Sequence, residues 1–195
     1  MSNNINLQTL IHQSKYEVNY QLDNFKIETI SNIIDIINAS DIVYITGVGK
    51  SESIAKHICD LFKCIGIKCF YLNILNSLHG DIGTVTSKDS ILFLSKSGNT
   101  IELNDKIQYF KLKKCKIVSI TNTKESNLSR QCDLNIYIPH KNELQLFNDN
   151  IPTNSCVSFL LFFNIIVSLM ANQLSNEDYS INHTNGNIGT ILNNK

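Results

Sequence analysis

The stretch Ser95-Lys96-Ser97-Gly98-Asn99-Thr100-Ile101-Glu102 directly follows the apolar run Ile91-Leu92-Phe93-Leu94. A buried strand that ends in Ser-x-Ser-Gly-x-Thr and opens a helix gathers three hydroxyls and several unpaired backbone N–H groups at one helix start. The helix dipole and those free donors favour a phosphate dianion there. Lys96 adds positive charge, and Glu102 places a carboxylate one short step from whatever the phosphate anchors. A phosphate grip beside an acid or base points to chemistry on a phosphorylated small molecule.

A second turn, Gly47-Val48-Gly49-Lys50-Ser51, follows Ile42-Val43-Tyr44-Ile45. Two nucleotide fingerprints fail here on spacing. A P-loop needs glycine where Tyr44 stands, and a dinucleotide turn needs glycine where Glu52 stands. What remains is a glycine-flexed strand-to-helix turn with Lys50 and Ser51 at its mouth. Further candidates are His79 in His79-Gly80-Asp81-Ile82-Gly83, Glu143 in His140-Lys141-Asn142-Glu143, and His183 in the polar stretch that runs to Gly189. Each has a plainer reading when taken alone. One hydroxyl of Ser95, Ser97 and Thr100 suffices as a helix cap, Glu102 suits a solvated first helical turn, and a single histidine commonly serves a loop carbonyl.

These side chains need a scaffold, and the apolar pattern supplies one. Short β-branched runs recur at 42–45, 67–72, 91–94, 117–120 and 134–138. Fully apolar runs of this length, separated by helix-length segments, predict a parallel sheet covered on both faces. Helical spacing predicts one or two amphipathic helices over 5–39, with apolar positions such as Leu7, Leu10, Ile11 and Leu22. It predicts others over 51–65, 100–114 and 126–130, and a long apolar helix over 153–172 opened by Pro152 and Thr153. The expected fold is α/β, a doubly wound, flavodoxin-like three-layer sandwich on a five-stranded parallel sheet. Residues 1–40 form a helical segment packing on a domain that spans 41–192. The polar clusters fall repeatedly after strand ends, on the rim where such sheets bind ligands.

The chain has 195 residues, enough to bury roughly two-thirds of its unfolded surface in one domain. Its formal net charge is zero, which gives no electrostatic reason to expect nucleic acid or an anionic membrane. No uninterrupted apolar run approaches the roughly 20 residues of a membrane span, and the start Met1-Ser2-Asn3-Asn4 lacks the pattern of a signal peptide. Six scattered cysteines without a C-x-x-C pair read as reduced, mostly buried thiols. The expectation is a cytoplasmic protein with no metal and no cofactor.

Taken together and in order, the Gly-x-Gly-Lys-Ser turn, His79-Gly80-Asp81, Ser95 through Glu102, Glu125 through Arg130, Glu143, Pro152-Thr153-Asn154-Ser155 and His183 through Leu192 resemble the sugar isomerase (SIS) domain. Within it they resemble the arabinose-5-phosphate isomerase branch, over about residues 15–192. The resemblance implies interconversion of D-ribulose 5-phosphate and D-arabinose 5-phosphate through an enediol, a step toward the octulosonate sugar of lipopolysaccharide or capsule. It implies catalytic positions at Lys50, Glu102, Glu143 and His183. Substrate contacts are implied at Ser51, Gly66, Ile67, His79, Ser95, Ser97, Gly98 and Thr100. Members assemble as dimers or tetramers, and His183 is implied to serve a neighbouring subunit. Another phosphosugar isomerase, of hexulose-6-phosphate type, and a non-catalytic sugar-phosphate sensor are the competing readings.

The sequence also departs from the family pattern. It ends at Lys195 without the tandem CBS pair of many relatives, so CBS regulation is not expected. Asn73 stands where the family often has a zinc-binding histidine. His183-Thr184-Asn185-Gly186 replaces His-Pro-Gly-Gly, and Lys96 replaces a common Asn or Gln.

Overall fold

The computed structural model describes residues 7–144, 151–184 and 190. Five strands, β1 (Val43–Gly47), β2 (Cys69–Tyr71), β3 (Ser90–Ser95), β4 (Lys116–Thr121) and β5 (Leu134–Tyr137), form one parallel sheet in the order β2-β1-β3-β4-β5. The apolar runs mark all five; β1, β3 and β4 are buried at nearly every position, whereas the edge strands β2 and β5 are only partly buried. The register is set by which side chain faces which layer. Val43, Ile45, Leu92, Leu94, Val118 and Ile120 enter one core, while Tyr44, Ile91, Phe93 and Ile117 enter the other.

The first layer contains α1 (Leu7–Asn24), α2 (Ile27–Asn38), α3 (Lys50–Cys64) and α7 (Asn154–Ala171). Ile33, Ile37, Ile58, Phe62, Phe159, Phe163 and Ile166 fill the space between these helices and the sheet. The second layer contains α4 (Ile101–Asn104), α5 (Ile107–Lys113) and α6 (Asn127–Gln131), with two 3-10 turns at Ser77–His79 and Asp81–Thr84. The result is the three-layer α/β sandwich that the strand pattern implied. Helix α7 is apolar enough by length and composition to cross a bilayer, at 18 residues and a mean hydropathy of 1.9. It packs here against α3, α1 and α2 as a core helix.

Three local expectations change. The helix expected over 100–114 is interrupted at Asp105 and Lys106. Asn104 Nδ2 donates to Gly98 O (3.3 Å) and Thr100 O (2.8 Å), and Asn104 Oδ1 accepts from Gln131 Nε2 (3.0 Å). The first turn is thereby tied to its neighbours, while Ile107 and Phe110 turn onto the sheet. A further helix, α8 (Asn176–Asn182), lies in the polar stretch near the C-terminus. Ser175 Oγ caps it by accepting from Asp178 N (3.0 Å), a Ser-x-x-Asp signal present in the sequence. Finally, α1 buries Glu17 and Gln21 but leaves Leu7 and Ile11 exposed, the reverse of its expected face.

Phe163 is fully buried and meets Phe62 and Phe162 edge-to-face at centroid distances of 6.0 and 5.6 Å. Phe163→Ala is expected to lower unfolding free energy by about 3–5 kcal/mol through lost burial and a cavity. Chemical denaturation with circular dichroism measures the loss; a change below about 1 kcal/mol would show that this core collapses around the deletion.

Candidate functional site

The sheet order places β1 beside β3, with β2 on the far side of β1. The chain winds one way from β1 and the other way from β3, so the turns after these neighbouring strands diverge and leave a crevice at the carboxyl rim. Its volume is about 210 Å3. Val48, Lys50 and Ser51 line it from the β1 turn; Ser95, Lys96, Ser97 and Thr100 line it from the β3 turn. Pro152, Ser155, Cys156 and Phe159 close it from the start of α7. Two turns far apart in sequence thus supply one cleft with four hydroxyl-bearing side chains and two lysines.

The β3 turn is pre-formed. Gly98 has φ +65°, a left-handed conformation that favours glycine. A Cβ there would also lie 2.5 Å from Ser126 Cβ, so two independent constraints select glycine. Gly98 N donates to Ser95 Oγ (3.0 Å), Ser95 Oγ and Thr100 Oγ1 share a hydrogen bond (3.1 Å), and Asn99 N donates to Ser97 Oγ (3.1 Å). From outside, Leu128 N donates to Gly98 O (2.9 Å), and Asn122 N and Thr123 Oγ1 both donate to Lys96 O. The hydroxyls therefore sit in fixed positions around one turn. The four-residue α4 contributes less dipole than the longer expected helix.

Glu143 is the most strongly held charge of the site. It lies after β5 with its side chain only 1% exposed. Its Oε2 accepts from Thr153 N (2.9 Å), Thr153 Oγ1 (3.2 Å) and Ser155 N (3.0 Å). Thr153 makes no side-chain cap of its own, so the Glu143 carboxylate satisfies the unpaired N–H groups at the positive end of the 18-residue α7. Its Oε1 meets Lys96 Nζ at 2.7 Å. Burial pushes this carboxyl up, but the Lys96 ammonium and the Ser155 and Thr153 groups outweigh it and bring the pKa down to about 2. Cys156, one position further on α7, is pushed up by burial and by Glu143, against Lys50 and Lys96.

His140 Nε2 lies 3.7 Å from Glu143 Oε2, and the imidazole is 6% exposed. Burial holds its pKa below the ordinary value; Glu143 and Glu17 act upward and Lys96 downward. Glu17, also buried, reaches across from α1. Its Oε1 accepts from Lys141 N (2.8 Å) and Gln21 Nε2 (3.2 Å), and its Oε2 from Asn142 N (3.3 Å). Sequence reasoning treated His140 only as a loop neighbour of Glu143 and missed Glu17 and Cys156. The His140-x-x-Glu143 spacing was a readable signal for the first; nothing local marks the other two.

The remaining expected residues divide. Lys50, Ser51, Ser95, Ser97 and Thr100 line the cleft, with Gly98 shaping its turn and Glu143 joined to it through Lys96. Glu102 is exposed in the first turn of α4, and His79 is exposed in the 3-10 turn after β2; neither lines the cleft. His183 lies elsewhere. Its ring meets that of Tyr179 at a tilt, 4.5 Å between centroids, and the adjacent Asn182 Nδ2 donates to Cys64 O (3.3 Å) at the far end of α3. Gly66 and Ile67 are at that same end; a Cβ on Gly66 would meet Asn182 Nδ2 at 3.4 Å. Fifteen helical residues put about 20 Å between the ends of α3, so one chain does not bring His183, Gly66 or Ile67 to Lys50. The motif beyond Thr184 falls mostly outside the described residues. Among the described residues no three His, Cys, Asp or Glu side chains converge to hold a metal ion.

Comparison with known proteins places the chain among relatives of the same fold. An uncharacterised Chlamydia pneumoniae protein is 30% identical over 191 residues, 96% of this chain and 58% of that protein. Arabinose 5-phosphate isomerase KpsF of Escherichia coli is 27% identical over 189 residues, 95% of this chain and 57% of the relative. The chain thus spans a little more than half the length of these curated relatives. A structure of an Escherichia coli protein in complex with arabinose 5-phosphate matches with TM-score 0.79 at 25% identity, covering 92% of this chain and 100% of that one. The SIS domain pattern itself extends over residues 36–169, which include both turns of the cleft and the helix that closes it, and the chain belongs to the SIS domain family.

Proposed function

We propose that this chain is an aldose–ketose isomerase that interconverts D-ribulose 5-phosphate and D-arabinose 5-phosphate. The observation that carries the reading is the crevice between the β1 and β3 turns, where Ser51, Ser95, Ser97 and Thr100 stand beside Lys50 and Lys96. The likeness of the chain to a protein in complex with arabinose 5-phosphate, and to a relative named for that isomerisation, supports the choice of sugar. The hydroxyls and lysines hold the 5-phosphate and fix the register of the sugar, so that binding energy remote from the reacting carbons orients them.

Isomerisation moves a proton between C1 and C2 through an enediol, and so needs a base and stabilisation of the developing oxyanion. Glu102, free in solvent two residues past Thr100, is the proposed proton carrier. Lys50 neutralises the enediolate. Glu143, with its carboxyl near pKa 2 and both oxygens engaged, is a fixed anion that positions Lys96 rather than a proton shuttle. His79 is proposed to contact the sugar from the turn after β2. The distance between His183 and Lys50 within one chain supports a role for His183, with Gly66 and Ile67, in the site of a neighbouring copy in a dimer or tetramer. In this reading the enzyme is cytoplasmic and its product feeds the octulosonate sugar of lipopolysaccharide or capsule.

Proton NMR of the protein with ribulose 5-phosphate should show arabinose 5-phosphate signals appearing to equilibrium. Absence of conversion over a panel of phosphosugars, with retained sugar-phosphate binding, would favour the sensor reading. Glu102→Gln is expected to lower turnover on the order of 10²–10⁴-fold with little change in substrate affinity; full turnover would remove Glu102 from the reaction.

The clamp on Glu143 makes an acid-stability prediction. Its folded pKa of about 2 lies below the ordinary 4.5, so it stabilises the fold fully above pH 4.5 and loses that contribution as pH falls toward 2. Denaturation midpoints followed over this range should fall more steeply for the wild type than for Glu143→Gln. Parallel curves for the two proteins would mean that Glu143 is not held as an anion in the fold.

A further inference from the structure

On the reading of the cleft as a phosphosugar site, the charge of a bound phosphate must be balanced by the lysines that line it. Lys96 follows Ser95 at the start of the Ser95–Thr100 turn and lines the cleft, yet its ammonium is already engaged, 2.7 Å from the buried Glu143 Oε1. Its side chain is 41% exposed whereas that of Glu143 is 1% exposed, so Lys96 is the partner free to move. A phosphate dianion held by Ser95, Ser97 and Thr100 competes with Glu143 for this cation.

Glu143 cannot follow, because Thr153 and Ser155 hold its other oxygen. Losing Lys96 would leave a buried carboxylate without a cationic partner, a costly state unless compensated. The group placed to compensate is His140. Its Nε2 is buried, has no hydrogen-bond partner among the described residues, and lies 3.7 Å from Glu143 Oε2. The charged and titratable groups around this imidazole are Glu143 on its own loop, Glu17 from α1 and Lys96 from the β3 turn; α7 brings Cys156 close to Glu143. Two of these are anions, and Lys96 is the cation among them. A cavity of about 140 Å3 between α1 and the start of α7, with Glu17, Asn142 and Glu143 in its wall, has room for water beside Glu143.

We propose that His140 is a positioning residue of the phosphosugar site that takes a proton from solvent when a bound phosphate draws Lys96 away from Glu143. Phosphate capture and protonation of His140 are then one coupled event. The ammonium passes from carboxylate to phosphate, and the new imidazolium replaces it beside Glu143. No covalent bond changes. The cleft gains a full lysine charge for the phosphate without leaving a bare anion beneath it.

Histidine Cε1–H signals of the intact protein, titrated by NMR between pH 5 and 9 with and without saturating inorganic phosphate, test this. One imidazole, identified by its disappearance in His140→Gln, should titrate higher with phosphate by about one pH unit, a tenfold change in protonation ratio. In Lys96→Gln, a half-exposed position, the same signal should titrate higher without phosphate and stay there when phosphate is added. If phosphate binds, by signal changes at the Ser95–Thr100 turn, but His140 does not move, the coupling is wrong and the cradle stands. If His140 titrates unchanged in phosphate-free Lys96→Gln, the exchange is overturned even without a ligand. Failure of inorganic phosphate to bind at all would overturn both this inference and the phosphate cradle.

Discussion

The buried carboxylate of Glu143 ties the start of α7 to the turn after β3. One oxygen accepts from Thr153 and Ser155 at the positive end of α7, and the other meets Lys96 in the turn after β3. A single anion thereby caps the long core helix and orients one of the two lysines that line the cleft. Burial alone would drive a carboxyl toward neutrality. The N–H groups of α7 and the ammonium of Lys96 reverse that tendency, so the charge persists where water is excluded. The segment that carries Glu143 is fixed in turn by Glu17, which accepts from Lys141 N and Asn142 N. Helix α1 therefore reaches the site through one carboxylate acting on another element's backbone.

This arrangement separates positioning from chemistry. The hydroxyls of Ser95 and Thr100 bond each other, and Gly98 holds the turn against α6, so the hydroxyls of the cleft are organised before any ligand arrives. The proposed proton carrier, Glu102, projects from a short helix into solvent instead. A base that must exchange protons gains from such accessibility, whereas a phosphate grip gains from rigidity. The crevice owes its existence to neither group but to the sheet order, which sends the β1 and β3 connections apart.

Much of this could be read from residues close together in the chain. Apolar runs located the strands: the central β1, β3 and β4 are covered on both faces and have no solvent face to encode, and the partly exposed edge strands β2 and β5 keep enough apolar residues to stand out. The Ser95–Thr100 and Gly47–Ser51 turns announced themselves through glycine and hydroxyl spacing, and five expected residues do line one cleft with Gly98 shaping it. Less legible was the face of α1. Its apolar periodicity pointed Leu7 and Ile11 inward, yet Glu17 and Gln21 are buried in their place, since Glu17 accepts, besides Gln21, from backbone more than a hundred residues away at Lys141 and Asn142. The interruption of the 100–114 helix depends similarly on Asn104 reaching back to Gly98 and across to Gln131.

The sequence by itself determined the class of fold, the turn chemistry and the kind of ligand such turns suit, because those depend on the local order of apolar, glycine and hydroxyl residues. Only the tertiary structure decided that Lys96 pairs with Glu143, that His140 is buried beside them, and that His183 stands at the other end of α3 from Lys50. These outcomes depend on which segments the sheet order and helix packing bring within a few ångströms. Electrostatic state follows that proximity and burial, and neither is written in local spacing. The Ser95–Glu102 stretch thus specified a grip, and the fold determined which of its charges are free to move.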